Sequence, residues 1–297
     1  MTEPPAATAV IHDIRYSRFS GSLRPRWTAV LALARSSVQR SLGVRRSAGA
    51  KVWPFLLVAA AYLPAVVAVG VPLVLGDLPG VGATGPLDIL GYYDLLGVTG
   101  VIVLAFAATT LPSLLTRERR DRVLSLYFST ALSPMEYVAG KLLAAVALVL
   151  LVTLGPMLLL LVGGILIADA PLAYAQDHLG DWPEIALAGG YFALFQAAVA
   201  LALGSLTSRR VFAVGGDIAL MLVPAVIGGV LYGLTERTAF LALNLLYVPI
   251  ELAGYVLSPD DDRSAVPSLV VLQAVWAGVV VAGLGTLVLR YVRGKGQ

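Results

Sequence analysis

The sequence contains no cysteine and only two histidines, and just 13% of its residues are charged. Without cysteine there is no disulfide, no thiolate metal site and no cysteine nucleophile. His12 and His178 both lie outside the apolar runs, so Ser205 has no histidine base within a span. No metal-ligand constellation is visible, and His178 beside Asp177 and Asp181 reads as a solvated loop cluster. The phosphate-loop pattern G-x-x-x-x-G-K-[ST] is also missing, so any nucleotide that drives this protein is bound by another chain. The shortage of charge is the most restrictive feature, because a soluble domain carries roughly 25% charged residues.

Apolar residues are plentiful: they make up 58% of the chain, and mean hydropathy is +0.85. They are gathered in runs long enough to cross about 30 Å of hydrocarbon as helices. The short alternating segments of a membrane β-barrel are not seen. Six spans are expected, at about 52–75, 94–115, 139–167, 184–207, 211–233 and 268–290. The fold class is therefore all-α integral membrane, with residues 52–290 forming the six-span unit. The first 50 residues are polar and Arg-rich without an apolar core, so no cleavable signal peptide is expected.

Residues 239–257 are apolar enough to form a seventh span, yet they contain Asn244, Pro249 and Glu251. Charge decides the count. With six spans, 19 of the 21 lysines and arginines fall on one side, leaving Arg237 and Arg263 on the other. The positive-inside rule makes the first side cytoplasmic. Both termini are then cytoplasmic: a segment 1–51 and a tail 291–297. Residues 236–260 become an outer re-entrant or short-helix hairpin before the last span. Asp77, Asp88, Asp169, Asp177, Asp181 and Asp260 to Asp262 fall on the same outer side.

Within the N-terminal segment, Trp27, Val30, Leu31, Ala34, Val38 and Leu42 recur at helical spacing over about 25–46, among Arg26, Arg35, Arg40, Arg45 and Arg46. This pattern fits an amphipathic helix lying in the interface with its arginines toward headgroups, or a helix packed on a partner. The formal net charge of +3 serves topology and anionic lipid contact, and nucleic acid is not an expected partner.

Between spans two and three lies TRERRDRVLSLYFSTALSPMEYVAGK, residues 116–141. A charged half with Glu118, Arg119, Asp121 and Arg122 precedes an apolar half with Leu124, Leu126, Tyr127 and Phe128. A plain solvated loop has no use for that apolar half, which suits a short helix of about 117–130 presented to a partner. Glu118, the run Arg122 to Tyr127, Leu132-Ser133-Pro134, Tyr137-Val138 and Gly140-Lys141 together resemble the cytoplasmic region of ABC-2-type permeases. This chain has Arg122 where the family commonly has glycine, and Met135 follows its Ser133-Pro134 turn. The resemblance implies the membrane subunit of an ATP-driven exporter in a bacterial cytoplasmic membrane. It also implies separate ABC ATPase subunits, which hold ATP and Mg, and a second permease copy or paralogue. No catalytic, cofactor or metal residue is expected in this chain. The Leu-, Val- and Ala-rich spans suit an amphipathic or lipid-like substrate.

Asp217, after Gly215-Gly216 in the fifth span, is the other candidate. An ionised Asp at a helix centre costs roughly 2.5–3.5 kcal/mol on insertion scales. A pair with Arg209, Arg210 or a basic residue of another helix is expected, with a structural or gating role. A direct role with substrate or protons is the alternative, and it belongs to an ion- or proton-coupled secondary transporter. A membrane assembly factor without transport is a third reading. Asp94 and Asp217 do not form a proteolytic dyad, because they lie toward opposite ends of their spans.

Overall fold

A computed structural model describes residues 25–44, 48–75, 85–121 and 132–293. The described residues form helices and no strand. Six helical stretches are long and apolar enough to cross a membrane: Lys51–Val74, Tyr92–Arg120, Pro134–Ile167, Asp181–Leu206, Arg210–Thr235 and Leu269–Arg293. The elements are α1 (Arg26–Ser41), α2 (Ala48–Leu75), α3 (Pro86–Ile89), α4 (Tyr92–Thr110), α5 (Ser113–Arg120) and α6 (Pro134–Ile167). They continue with α7 (Pro171–Asp177), α8 (Asp181–Leu206), α9 (Arg210–Thr235), a 3-10 turn (Thr238–Leu243), α10 (Tyr247–Leu257) and α11 (Leu269–Val288). The last span finishes as a π-helical turn, Leu289–Arg293.

The N-terminal helix stops at Ser41, short of the expected 46, for a local reason. Gly43 adopts φ 73°, its N–H bonds the Arg40 carbonyl, and the Val44 N–H bonds that of Gln39. This left-handed termination favours glycine and satisfies the last carbonyls of the helix. Of the expected apolar stripe, Ala34 is buried with Leu33 and Ser37 against α6, while Trp27 and Leu31 are exposed. The helix therefore packs on its own chain and keeps part of its apolar surface outward.

α6 begins five residues before the expected third span. Ser133 caps it: the Ser133 hydroxyl accepts from the Glu136 N–H, and Glu136 accepts from the Ser133 N–H. Pro134 occupies the first helical position, where its missing N–H is harmless. The helix has 34 residues. At 1.5 Å per residue it is about 51 Å long, well beyond the hydrocarbon thickness. The N-terminal helix α1 lies against it.

The centre of the bundle is α6 against α8, with α2, α4 and α11 around them. Close packing shows at Gly155, where a β-carbon would lie 1.8 Å from the Tyr62 hydroxyl, which itself donates to the Leu151 carbonyl at 2.9 Å. Small residues allow such approaches between helices in lipid. Helix ends alternate, so Lys51, Arg117 to Asp121, Lys141, Arg209, Arg210 and Arg293 mark one end, called here the basic end. The acidic end carries Asp88, Asp169, Asp177, Asp181 and Asp260 to Asp262.

The ambiguous segment 239–257 forms no helix long enough to cross. The 3-10 turn ends at Asn244, whose side-chain oxygen accepts from the Tyr247 N–H at 3.3 Å. α10 then runs for 11 residues, about 16 Å, and is buried from Val248 to Gly254, Pro249 included. A helix that is apolar all round and enclosed by α8, α11 and α4 needs no lipid to cover it.

Candidate functional site

Span two does not end where its apolar run ends. α4 stops at Thr110, a turn through Leu111 and Pro112 follows, and α5 carries the chain on to Arg120. On α5, Leu114, Leu115 and Glu118 share one buried face, as spacings of three and four residues require. Glu118 is therefore carried inward with two leucines, toward α1 and α6.

There it meets three partners. Its Oε1 accepts from Lys141 Nζ at 2.7 Å and from an Arg40 Nη at 3.2 Å, and its Oε2 accepts from the Tyr137 hydroxyl at 2.6 Å. Lys141 also donates to the Ser37 hydroxyl at 3.1 Å. Tyr137 and Lys141 are one helical turn apart on α6, so both reach the same carboxylate. The side chains of Lys141 and Glu118 are 2% and 6% exposed, whereas Arg40 is 41% exposed and closes the cluster from the surface. Tyr291, from the end of span six, packs its ring 5.5 Å from that of Tyr137. One carboxylate thus joins α1, α5 and α6. A buried ion pair is weak support for stability compared with an apolar replacement, but removing one member typically costs about 3–5 kcal/mol. Such a knot fixes the relative register of its helices.

Two more bonds tie the basic end together. Arg119 donates to the Ser205 carbonyl at the end of span four. Arg210, at the start of span five, donates to the Thr109 carbonyl at 2.6 Å. Asp121 is exposed and lies 3.3 Å from Arg120 and 3.7 Å from Arg117, surface pairs that contribute little.

The expected partner-facing charges are accordingly corrected at two positions. Glu118 is spent on Lys141, Arg40 and Tyr137, and Arg119 on Ser205, because α5 continues the span inward instead of opening into a surface helix. Asp121 remains at the surface. Arg122, Leu124, Leu126, Tyr127 and Phe128 lie outside the described residues.

Asp217 is corrected too. It is fully buried between α8 and α9, but its neighbour is the Gln196 side-chain amide at 3.4 Å. Arg209 instead lies over the Phe212 ring at 5.9 Å, and Arg210 points to Thr109. The second Asp217 oxygen, Oδ1, has no hydrogen-bond partner among the described residues. The arginines flank the start of α9, whereas Asp217 is two helical turns further on and faces α8.

At the acidic end, Glu251 of α10 accepts from the Tyr93 hydroxyl at 2.6 Å and from Arg263 at 3.2 Å. The Arg263 guanidinium lies 5.2 Å from the Tyr93 ring centre and 5.0 Å from that of Tyr255. Sequence reasoning treated Arg263 only as a basic residue on the sparse side. Its place there follows from pairing a buried carboxylate twelve residues earlier.

No curated protein matches the chain. A family described as "ABC-2 family transporter protein" matches residues 55–257, about two thirds of the sequence, from the first span to the end of α10. With six spanning helices and this match, the chain is a multi-pass membrane protein and belongs, as a transport subunit, to the ABC-2 family of transporter proteins.

Proposed function

We propose that this chain is the permease of an ATP-driven exporter, energised by separate ABC ATPase subunits that bind the basic end. The ion knot around Glu118 carries this reading. It stands where residues 122–131 leave α5 and return to α6, so a push on that segment reaches α1, α5 and α6 as one body. Rigid attachment is what nucleotide-driven closure of a partner requires if it is to move spans instead of bending a loop. Tyr127 and Phe128 are the proposed anchors in the ATPase, since aromatic residues dominate small interfaces. Asp121, exposed at the end of α5, and Arg122 orient the contact.

The basic end is cytoplasmic in this scheme, which puts both termini and 19 of 21 basic residues inside a bacterial cytoplasmic membrane. Two permease copies, or this chain and a paralogue, enclose the pathway. Its mostly apolar walls suit an amphipathic or lipid-like substrate. Changing Tyr127 and Phe128 together to Ala tests the coupling: membrane insertion is retained, while ATPase co-purification and transport are lost together. Normal ATPase capture and normal stimulation of its turnover by the double variant exclude the segment as the coupling site. A cysteine at Asp261 tests sidedness. It reacts with an impermeant thiol reagent in intact cells, and reaction only after permeabilisation reverses the topology.

A further inference from the structure

Beside the knot, on the other face of α5, an open groove runs between α5 and the start of α9. It is lined by Arg117, Arg120 and Arg210 with Ser113, Thr116 and Ser208, so charged and hydroxyl groups share its walls with their own aliphatic carbons. Among the described residues three arginines line it, Arg210 with one Nη donating to the Thr109 carbonyl, and Asp121 supplies one carboxylate that Arg117 and Arg120 share. The groove thus keeps an excess of two positive charges. Forked guanidinium donors beside hydroxyls are the chemistry that holds phosphate oxygens. The positive end of the 26-residue helix α9 starts at the same place and adds to the attraction.

What distinguishes a lipid from a soluble anion is the surface next to these arginines. Leu206, Val211 and Phe212 adjoin Ser208 and Arg210 in sequence and are 57%, 80% and 65% exposed. Uncovered apolar side chains thus flank in sequence the Ser208 and Arg210 that line the groove, at the end of span four and the start of span five, the level at which headgroup and acyl chain meet. We propose that this groove is a binding site for the phosphate of an anionic phospholipid, whose acyl chains lie along Leu206, Val211 and Phe212. The bound lipid bridges the end of span two to the start of span five.

Purified full-length protein in detergent, titrated with short-chain phosphatidylglycerol and read by native mass spectrometry, tests the site. Phosphatidylglycerol binds at least about tenfold more tightly than phosphatidylcholine of the same chain length, since the second has no net charge to satisfy the surplus arginines. Arg117→Gln and Arg120→Gln each weaken phosphatidylglycerol about tenfold, the usual effect of losing one charge-assisted bond. Arg120→Lys keeps the charge, loses the fork and weakens it less. Arg120 is largely exposed and, among the described residues, pairs with the adjacent Asp121 alone, so its variants fold. Arg35→Gln, at an exposed position of α1, leaves binding unchanged. Equal binding of the two lipids, or unchanged phosphatidylglycerol binding in the Arg117→Gln/Arg120→Gln double variant, overturns the proposal. So does displacement of the lipid by an equal concentration of inorganic phosphate, which marks a soluble-anion site. Loss of ATPase capture by the double variant with lipid binding intact makes the groove a protein-docking surface instead.

Discussion

Glu118 and Asp217 are both buried carboxylates in a chain with few charges, and their surroundings are opposite. Glu118 has two cations and a phenol on its two oxygens. Asp217 has one long bond from an amide and a bare second oxygen. Charge buried with partners is costly to disturb and holds helices in register. A carboxyl buried with a single neutral partner is held by its neighbours' packing and contributes little to holding them. The two residues therefore call for different roles: Glu118 as a structural and transmitting group, Asp217 as a group whose charge the fold does not use.

The largest difference should appear when each carboxylate is neutralised. Glu118→Gln keeps an acceptor oxygen but leaves the Lys141 ammonium buried without its counter-charge, and is expected to destabilise the protein by about 3–5 kcal/mol. Thermal unfolding in detergent measures this, together with the fraction of monodisperse protein. Lys141→Met should be milder, because Glu118 then keeps Arg40 and Tyr137. The Glu118→Gln/Lys141→Met double variant should regain part of the loss, as coupled partners do. Equal stability of Glu118→Gln and wild type would dissolve the contrast.

A third carboxylate sharpens it. Glu251 resembles Glu118 in having an arginine and a tyrosine, and Arg263 is only 9% exposed. Glu251→Gln is expected to lose about 2–3 kcal/mol, less than Glu118→Gln, because a single cation is left behind and its chain neighbours reach solvent. It should also loosen the loop before span six, so a cysteine at Asp261 becomes faster to label. An unchanged labelling rate would mean that the Glu251–Arg263 bond does not hold this loop.

The smallest effect is expected at Asp217. Asp217→Asn keeps the bond with Gln196 and removes the carboxylate, so stability should change by less than about 1 kcal/mol. Asp217→Leu should likewise fold. Transport by both variants at the wild-type rate places Asp217 outside the mechanism. A folded, transport-dead Asp217→Asn would instead favour proton coupling over energy supplied by a separate ATPase alone.

Some of this was legible before any coordinates. Leu114, Leu115 and Glu118 already share a helical face in sequence, a signal that Glu118 turns inward if span two continues past its apolar run. The boundary hid it, because arginines at 117, 119 and 120 read as the end of a span. Nothing local identifies Tyr137, Lys141 and Arg40 as its partners, since they lie 19, 23 and 78 residues away. For Asp217 the burial was legible and the partner was not: Arg209 and Arg210 were nearest along the chain, whereas helix rotation turned the carboxyl toward Gln196 on α8. The hairpin was excluded as a span by charge bias, and its enclosure by three other helices explains why so apolar a segment stays short.

From the sequence alone follow the six spans and the clustering of basic residues at one end. Each depends on local properties: apolar length against bilayer thickness, and charge beside a span. Only the tertiary structure decided which buried carboxylate is saturated and which is left half bare. Both are single acidic residues in apolar helices, and the difference lies in which side chains from distant helices arrive within 3 Å.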